Sequence, residues 1–192
     1  MNIGIFGGTF NPPHLGHLII AEYVRERLGL AKVVFVPSAI PPHKQELEIL
    51  DAHHRMEMLQ FAVEGNSSFE VSDVEIRRGG ISFTVDTLEE FKKRFPGEEL
   101  YLLIGMDNFA EFQEWRSPER ILSLAALVVM TRPNTDLTHV EANDREQIRM
   151  CVVPEIAISS SDIRRRVKEG KSIRYLVPAP VEAYIIRHHL YR

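Results

Sequence analysis

The chain has 192 residues, of which 44% are hydrophobic and 26% charged, and its formal net charge is −4. This composition is typical of a globular domain with its own core, and we predict a single domain over 1–192. The mildly acidic balance argues against broad nucleic-acid binding, which usually needs a basic surface, so a phosphate ligand must meet a local positive site.

Cysteine content and hydropathy bear on location. The sequence holds one cysteine, Cys151, which excludes an intrachain disulfide and a cysteine-based metal cluster and is compatible with a reducing cytoplasm. The first residues lack the basic and apolar regions of a secretory leader, and no apolar run approaches the roughly 20 residues of a membrane span. The expectation is a cytoplasmic protein with neither a membrane nor a nucleic acid as partner.

Strand and helix patterns alternate along the chain. Apolar and β-branched runs predict strands at 3–6, 33–36, 69–76, 100–104, 125–130 and 151–153. Apolar spacing and capping residues predict helices at 15–28, 51–63, 86–95, from 117, at 159–168 and at 181–189, the last two forming a small helical part at about 156–192. Several strands are unbroken apolar runs, so we predict an α/β fold, a Rossmann-like parallel sheet with helices on both faces. Ligands of such sheets bind beyond the carboxyl ends of the strands.

The first predicted strand ends in Gly7 and Gly8, directly before the first predicted helix. Small residues at such a turn let backbone N–H groups approach a phosphate, and the helix N-terminus adds favourable partial charge. The sequence GGTF matches neither G-x-G-x-x-G nor a Walker loop, so a simple structural turn is an equal alternative at this point.

Two histidines, His14 and His17, stand at the start of that helix and face the same crevice. Imidazole rings placed there can donate hydrogen bonds to phosphoryl oxygens. A metal site would need further ligands, for which His43, His53 and His54 are available, and the spacing is not the i, i+4 pair of a zinc protease helix. Phosphate binding is therefore favoured, with a metal site and a capping or core role as alternatives.

Two segments about 140 residues apart carry a family resemblance. GGTFNPPHLGH at 7–17 contains H-x-G-H, and ISSSDIRRR at 158–166 is similar to the C-terminal I-S-S-[ST]-x-I-R motif of the H-x-G-H nucleotidylyltransferases. Members of that superfamily join a nucleoside triphosphate to a phosphate-bearing acceptor and release pyrophosphate. Taken alone, the second segment also fits a plain serine-capped basic helix.

Three segments between them narrow the resemblance. SFTVDTL at 82–88, YLLIGMDNF at 101–109 and WRSPERIL at 115–122 resemble bacterial nicotinate-nucleotide adenylyltransferases, and the similarity spans essentially the whole chain. One departure is Phe83, where the family often has tyrosine. The resemblance implies adenylyl transfer from ATP to nicotinate mononucleotide, giving nicotinate adenine dinucleotide, with ATP and the mononucleotide as the small-molecule partners.

The resemblance also implies a set of site residues. The implied catalytic residues are His14, His17, Lys44 and Arg164. The implied ATP-binding residues are Gly7, Gly8, Thr9, Phe10, His17, Gly105, Asp107, Ser160, Ser161 and Arg164. The implied residues for nicotinate mononucleotide are Thr84, Val85, Trp115, Lys44 and Arg132. Mg²⁺ is expected as a cofactor held by ATP phosphates, with no protein side chain as a dedicated ligand.

Several of these residues also fit ordinary structural roles when each is taken singly. Lys44 fits a solvated loop, Asp107 fits a helix cap and Trp115 fits core packing. Competing activities are nicotinamide-mononucleotide or phosphopantetheine adenylyl transfer, a nucleotide-binding redox protein and a histidine metal-binding module. A homodimer is left open, because related bacterial enzymes often pair and 181–190 offers an apolar helix.

Overall fold

The computed structural model describes residues 1–41, 49–131, 133 and 147–192. Within these ranges six strands form a sheet in the order β3-β2-β1-β4-β5-β6, and each neighbouring pair is parallel. The strands are β1 (Asn2–Gly8), β2 (Lys32–Pro37), β3 (Phe69–Val71), β4 (Glu99–Gly105), β5 (Ala126–Thr131) and β6 (Ile148–Val152). The parallel α/β architecture predicted from the sequence is therefore confirmed.

The same ranges contain eight α-helices and one short 3-10 helix. The α-helices are α1 (Leu15–Leu28), α2 (Ala52–Val63), α3 (Val74–Arg78), α4 (Thr84–Arg94), α5 (Met106–Ala110), α6 (Pro118–Leu124), α7 (Ser160–Lys168) and α8 (Ala179–Arg187). The 3-10 helix is Phe112–Glu114. None of the helices in the described ranges combines the length and apolarity needed to cross a bilayer.

Successive strand residues point to opposite faces of the sheet, and both faces are buried. Ile3 and Ile5 pack on one face with Leu88 of α4 and Ile121 of α6. On the opposite face, the strand residues pack against α1 and Leu59 of α2. This double coverage explains why the strands are continuous apolar runs rather than alternating ones. A further apolar cluster joins α2 to α7 and α8 and attaches the C-terminal helices to the sheet layer.

The strand order places a crevice between β1 and β4. From β1 the chain builds outward through β2 to β3, then returns to β4 on the other side of β1. The connections leaving β1 and β4 therefore diverge at Gly8 and Gly105, and such a switch point is where open parallel sheets bind ligands.

The predicted strand at 69–76 was wrong beyond its third residue. β3 ends at Val71, and Val74–Arg78 forms α3 instead. In the parallel register Phe35 of β2 is the partner of Val71, and β2 then ends two residues later at Pro37, which has no amide to donate. Gly79, with φ of +71°, closes the helix at a conformation that glycine adopts without strain.

The other differences concern boundaries and short helices. Helix α4 begins at Thr84 rather than 86, and α8 begins at Ala179 rather than 181. Helix α5 and the 3-10 helix were not predicted, because a few residues give no periodic signal. Asp51 and Ser159 cap α2 and α7, since their side chains accept hydrogen bonds from the amides of His53 and Asp162.

Candidate active site

Two cavities lie at the carboxyl ends of β1 and β4. The first, about 400 Å³, we call the histidine cavity; its wall includes His14, His17, Gly105, Asp107, Thr131 and Ile158. The second, about 700 Å³, we call the tryptophan cavity; its wall includes Gly8, Thr9, Glu75, Ser82, Thr84 and Trp115. The first cavity lies on the α1 side of these strands and the second on the α4 side. Residues of the connections that follow β1 and β4 therefore line both cavities.

The histidine rings of the H-x-G-H motif are stacked on each other. Their centroids are 3.6 Å apart and their planes differ by 21°. His14 is only 6% exposed, and the ring of Phe10 packs against His17 at a centroid distance of 5.0 Å. Aromatic neighbours on one side and the partner ring on the other hold the imidazoles in place at the start of α1.

A backbone hydrogen bond fixes the tautomer of His17. The amide N–H of His14 donates to Nδ1 of His17 over 3.2 Å. Because Nδ1 accepts, the proton of the neutral ring resides on Nε2, which becomes the donor available to a ligand in the histidine cavity. In the described part of the structure, Nδ1 of His14 is buried without a hydrogen-bond partner. That atom lies against Gly16, since a β-carbon built on Gly16 would be 3.0 Å from it.

Burial favours the neutral form of both imidazoles. Burial lowers the pKa of His14 from 6.5 to about 4. Burial, followed by the charge of His14, lowers the pKa of His17 well below its usual value. Two stacked rings cannot both become cations in an apolar setting without strong repulsion. The pair therefore forms a cluster of hydrogen-bonding groups that an approaching anion would stabilise in the protonated form.

The C-terminal motif packs directly on the loop that carries the histidines. Ser160 Oγ donates to the carbonyl of Pro12 over 2.8 Å, and Arg164 Nη1 donates to the carbonyl of Asn11 over the same distance. Arg164 also reaches Ser161 Oγ at 3.3 Å. The two halves of the family signature, far apart in the sequence, are thus joined at the start of α7.

The remaining residues implied for ATP follow the strand ends. Gly105 and the exposed Asp107 stand at the start of α5 and line the histidine cavity. Gly7, Gly8 and Thr9 line the tryptophan cavity instead. The side chain of Phe10 is buried against the other aromatic rings, so only its backbone, in the left-handed region with φ of 48°, is left to meet a ligand.

The residues implied for the acceptor fall on the second cavity. Thr84 and Trp115 line the tryptophan cavity, and Trp115 packs on Phe112 at a centroid distance of 5.6 Å. Val85 is buried in the core, so its amide rather than its side chain is the group left to contribute. Thr84 and Val85 open α4, where the first N–H groups have no acceptor within the helix. Lys44 and Arg132 lie outside the described residues.

Sequence reasoning missed four polar residues that shape the second cavity. Arg116 places its guanidinium over the Phe83 ring, 4.8 Å from the centroid, and pairs with Asp86 at 3.3 Å. Ser38 contributes a buried hydroxyl that, among the described residues, has no partner. Glu75 and Ser82 complete the wall. The available signal was that Ser38 follows a predicted strand and that Ser82 and Arg116 lie within the SFTVDTL and WRSPERIL segments, whereas Glu75 lay inside the predicted strand at 69–76 and gave none.

Glu75 is the buried carboxyl of this wall. It accepts a hydrogen bond from Thr87 Oγ1 over 2.6 Å, and the Thr87 hydroxyl in turn accepts from Arg78. Burial raises the pKa of Glu75, while hydrogen bonds from Thr87 and Ser82 oppose that shift. The carboxyl is therefore committed to holding α3 and α4 together rather than free to act on a ligand.

Comparison with known proteins agrees with this geometry. Residues 5–166 match the model of the cytidylyltransferase-like family. A probable nicotinate-nucleotide adenylyltransferase of Desulfitobacterium hafniense is 47% identical over 99% of this chain and 95% of its own length, and one of Thermomicrobium roseum is 46% identical over 99% and 91%. The Plasmodium falciparum nicotinic acid mononucleotide adenylyltransferase complexed with NaAD shares the fold, with a TM-score of 0.79 at 19% identity over 99% of this chain and 97% of that one. The chain therefore belongs to the nicotinate-nucleotide adenylyltransferase family, within the cytidylyltransferase-like proteins.

Proposed function

We propose that this protein transfers the adenylyl group of ATP to nicotinate mononucleotide in the biosynthesis of NAD. A phosphate oxygen of the mononucleotide forms a bond to the α-phosphorus of ATP. The bond from that phosphorus to the bridging oxygen breaks, and pyrophosphate leaves with the electron pair. The product is nicotinate adenine dinucleotide, and the acceptor phosphate is itself the nucleophile, so no protein nucleophile or strong base is required.

The observation that carries the proposal is the pair of cavities on the two sides of one switch point. A triphosphate in the histidine cavity and a mononucleotide in the tryptophan cavity would meet at the strand ends Gly8 and Gly105. Such an arrangement catalyses chiefly by positioning and by neutralising charge on the transferring phosphoryl group. Family membership supports the same chemistry.

In this proposal the histidines act on the phosphates. Nε2–H of His17 donates to an α-phosphate oxygen, and His14, which is stacked on His17 and lines the same cavity, joins it when the anion arrives. Ser160, Ser161 and Arg164 at the start of α7 bind the outer phosphates, where helix amides and a planar guanidinium suit phosphate oxygens. Lys44 and Arg132 keep their implied roles on phosphate and acceptor as predictions.

The pyridine ring of the acceptor stacks on Trp115 in this scheme. Its carboxylate accepts from the amides of Thr84 and Val85 at the start of α4, where the helix dipole favours a negative group. An amide in the same place would direct N–H donors at N–H donors. The proposal therefore includes a preference for nicotinate over nicotinamide mononucleotide.

Mg²⁺ is proposed as the cofactor, bound mainly through ATP phosphates. The ion keeps most of its water, so no protein side chain is proposed as a dedicated ligand. When bound, the ion would neutralise phosphate charge. Ribose hydroxyls of the adenosine would donate to Asp107. A single domain, a cytoplasmic location and a homodimer likewise stay predictions of the sequence.

A competition assay tests the proposal. Purified protein, ATP and Mg²⁺ are mixed with equal concentrations of nicotinate mononucleotide, nicotinamide mononucleotide and phosphopantetheine, and the products are identified by mass. Nicotinate adenine dinucleotide as the main product, with equimolar pyrophosphate, is the expected result. A different adenylylated product would refute the acceptor assignment to Trp115 and Thr84, and no product from folded protein would refute the reaction.

A further inference from the structure

Arg55 is a buried guanidinium that lines neither cavity. It lies in α2 and is only 1% exposed. Its Nε donates to the carbonyl of Leu50 at 2.8 Å, its Nη1 to that of Thr9 at 2.8 Å and its Nη2 to that of Ala39 at 3.2 Å. Among the described residues no carboxylate forms an ion pair with it. Burial of a cation is costly unless its donors are used, and Arg55 relies on these carbonyls, with the Asp51 carboxylate favouring its charge from a distance.

The three carbonyls belong to two connections at the site, the one between β1 and α1 and the one between β2 and α2. Thr9 follows β1 and forms part of the tryptophan cavity. Ala39 follows β2, and Leu50 directly precedes the residues that cap α2. One side chain thus fastens the loop that carries the histidine motif to the segment that leaves the neighbouring strand.

Ala39 links Arg55 to the wall of the tryptophan cavity. Its amide donates to Ser82 Oγ at 2.9 Å, and the Ser82 amide donates to the carbonyl of Ile40 at 2.9 Å. Ser82 hydrogen-bonds Glu75, which also accepts from Thr87 of α4. A chain of hydrogen bonds therefore runs from Thr9 through Arg55, Ala39 and Ser82 to the first turns of α4, where Thr84 and Val85 lie.

We propose that Arg55 is a positioning residue. It keeps the loop after β1 at a fixed position relative to the start of α4, so that the two substrates are aligned with each other. This inference rests on the proposed function, because it concerns the two subsites of that reaction. Arg55 touches neither substrate and acts through Thr9 and Ala39. Lysine cannot replace it, since a single ammonium on a flexible stem lacks the planar fork that spans three separate carbonyls.

The test compares Arg55→Lys with a control from the same helix. Met58→Ala also changes a fully buried side chain of α2. Met58, however, packs on the C-terminal helices and takes no part in the chain of hydrogen bonds. Melting temperature, kcat and both KM values are measured for each. We expect Arg55→Lys to lower kcat/KM for ATP and for nicotinate mononucleotide by about tenfold or more, as small misplacements of reacting groups do. Met58→Ala should lower the melting temperature without that loss.

A double-mutant cycle with Ser82→Ala tests whether the chain acts as one unit. The kcat/KM of the Arg55→Lys/Ser82→Ala double variant should be only slightly lower than that of the less active of the two single variants. Losses that multiply would overturn the inference, as would an Arg55→Lys protein that melts earlier yet has the kinetics of Met58→Ala. If Arg55→Lys does not fold, the Ser82→Ala variant alone decides. Ser82→Ala must then lower kcat/KM for ATP as well as for the acceptor, and a loss confined to the acceptor would refute the connection.

A binding measurement separates this inference from the proposed reaction. Trp115 is the only tryptophan of the chain, so its fluorescence reports on the tryptophan cavity. ATP titrated without acceptor should change that fluorescence less in Arg55→Lys than in wild type. An equal change would overturn the inference. A wild-type protein that makes no dinucleotide would instead refute the proposed function, while this titration would still give its own answer.

Discussion

Gly16 leaves the space that the His14 ring occupies. A β-carbon built on Gly16 would lie 3.0 Å from Nδ1 and 3.2 Å from Cε1 of His14. Gly16 is buried in the first turn of α1, between the two stacked imidazoles in sequence. The glycine of H-x-G-H therefore serves the geometry of the first histidine, and no left-handed backbone is involved.

Gly16→Ala separates activity from stability. The added methyl group would lie closer to the His14 ring than an ordinary contact, so the ring must shift by a few tenths of an ångström and kcat should fall by about tenfold. The tight contact with His14 costs stability, but alanine favours a helix over glycine by about 1 kcal/mol. Because the two effects oppose each other, the free energy of unfolding should change little. Steady-state kinetics and thermal melting check both statements.

Gly29→Ala supplies the matched control for that variant. Gly29 ends the same helix with φ of +62°, and a β-carbon there would meet nothing within 4 Å. Its replacement should lower stability by about 1 kcal/mol and leave kcat unchanged. The role assigned to Gly16 is refuted if the two variants lose the same activity.

The two nitrogens of His17 can be tested separately. Asparagine places a polar atom near Nδ1 and keeps a partner for the His14 amide, but it has nothing at the position of Nε2. We expect His17→Asn to fold normally and to lose about 10²- to 10³-fold in kcat, the cost of removing one donor to a developing charge. His17→Gln, which reaches the Nε2 position, should retain more activity. The reverse order of the two variants would place the working nitrogen at Nδ1.

Burial of His14 predicts a sensitivity to acid. The folded pKa of about 4 lies below the 6.5 of an unperturbed histidine, so between these values the unfolded chain binds a proton that the folded one does not. Stability should therefore fall as pH drops from 6.5 towards 4, by on the order of 1 to 2 kcal/mol at pH 5 from this group. Urea unfolding at pH 7 and pH 5 should show a smaller difference for His14→Gln than for wild type. An equal difference in both proteins would refute the assignment.

The sequence predicted the sheet and the strand ends better than the contacts that complete the site. Buried strands leave continuous apolar runs, and the glycines after β1 and β4 mark where those runs stop. Arg55 and Glu75 left no such signal, because an isolated charged residue in a predicted helix or strand is interpreted as solvent-exposed until its burial is known. Ser38 and Arg116 were missed for a related reason: their roles depend on which strands are neighbours, and strand order is a property of the fold.

Two adjacent arginines of α7 allow a direct test of the C-terminal motif. Arg164 donates to the carbonyl of Asn11 beside the histidines, whereas Arg165 pairs with Asp162 and Glu169 on the exposed side of the helix. Arg164→Gln should raise KM for ATP and lower kcat, with a loss of about 10²-fold in kcat/KM, because a charged donor to phosphate is removed and the loop loses its anchor. Arg165→Gln removes the same charge from the next position, and its ion pairs are exposed and screened by solvent, so its kinetics should match wild type. If both variants lower kcat/KM for ATP equally, the helix acts through its overall charge, and the specific role of Arg164 is refuted.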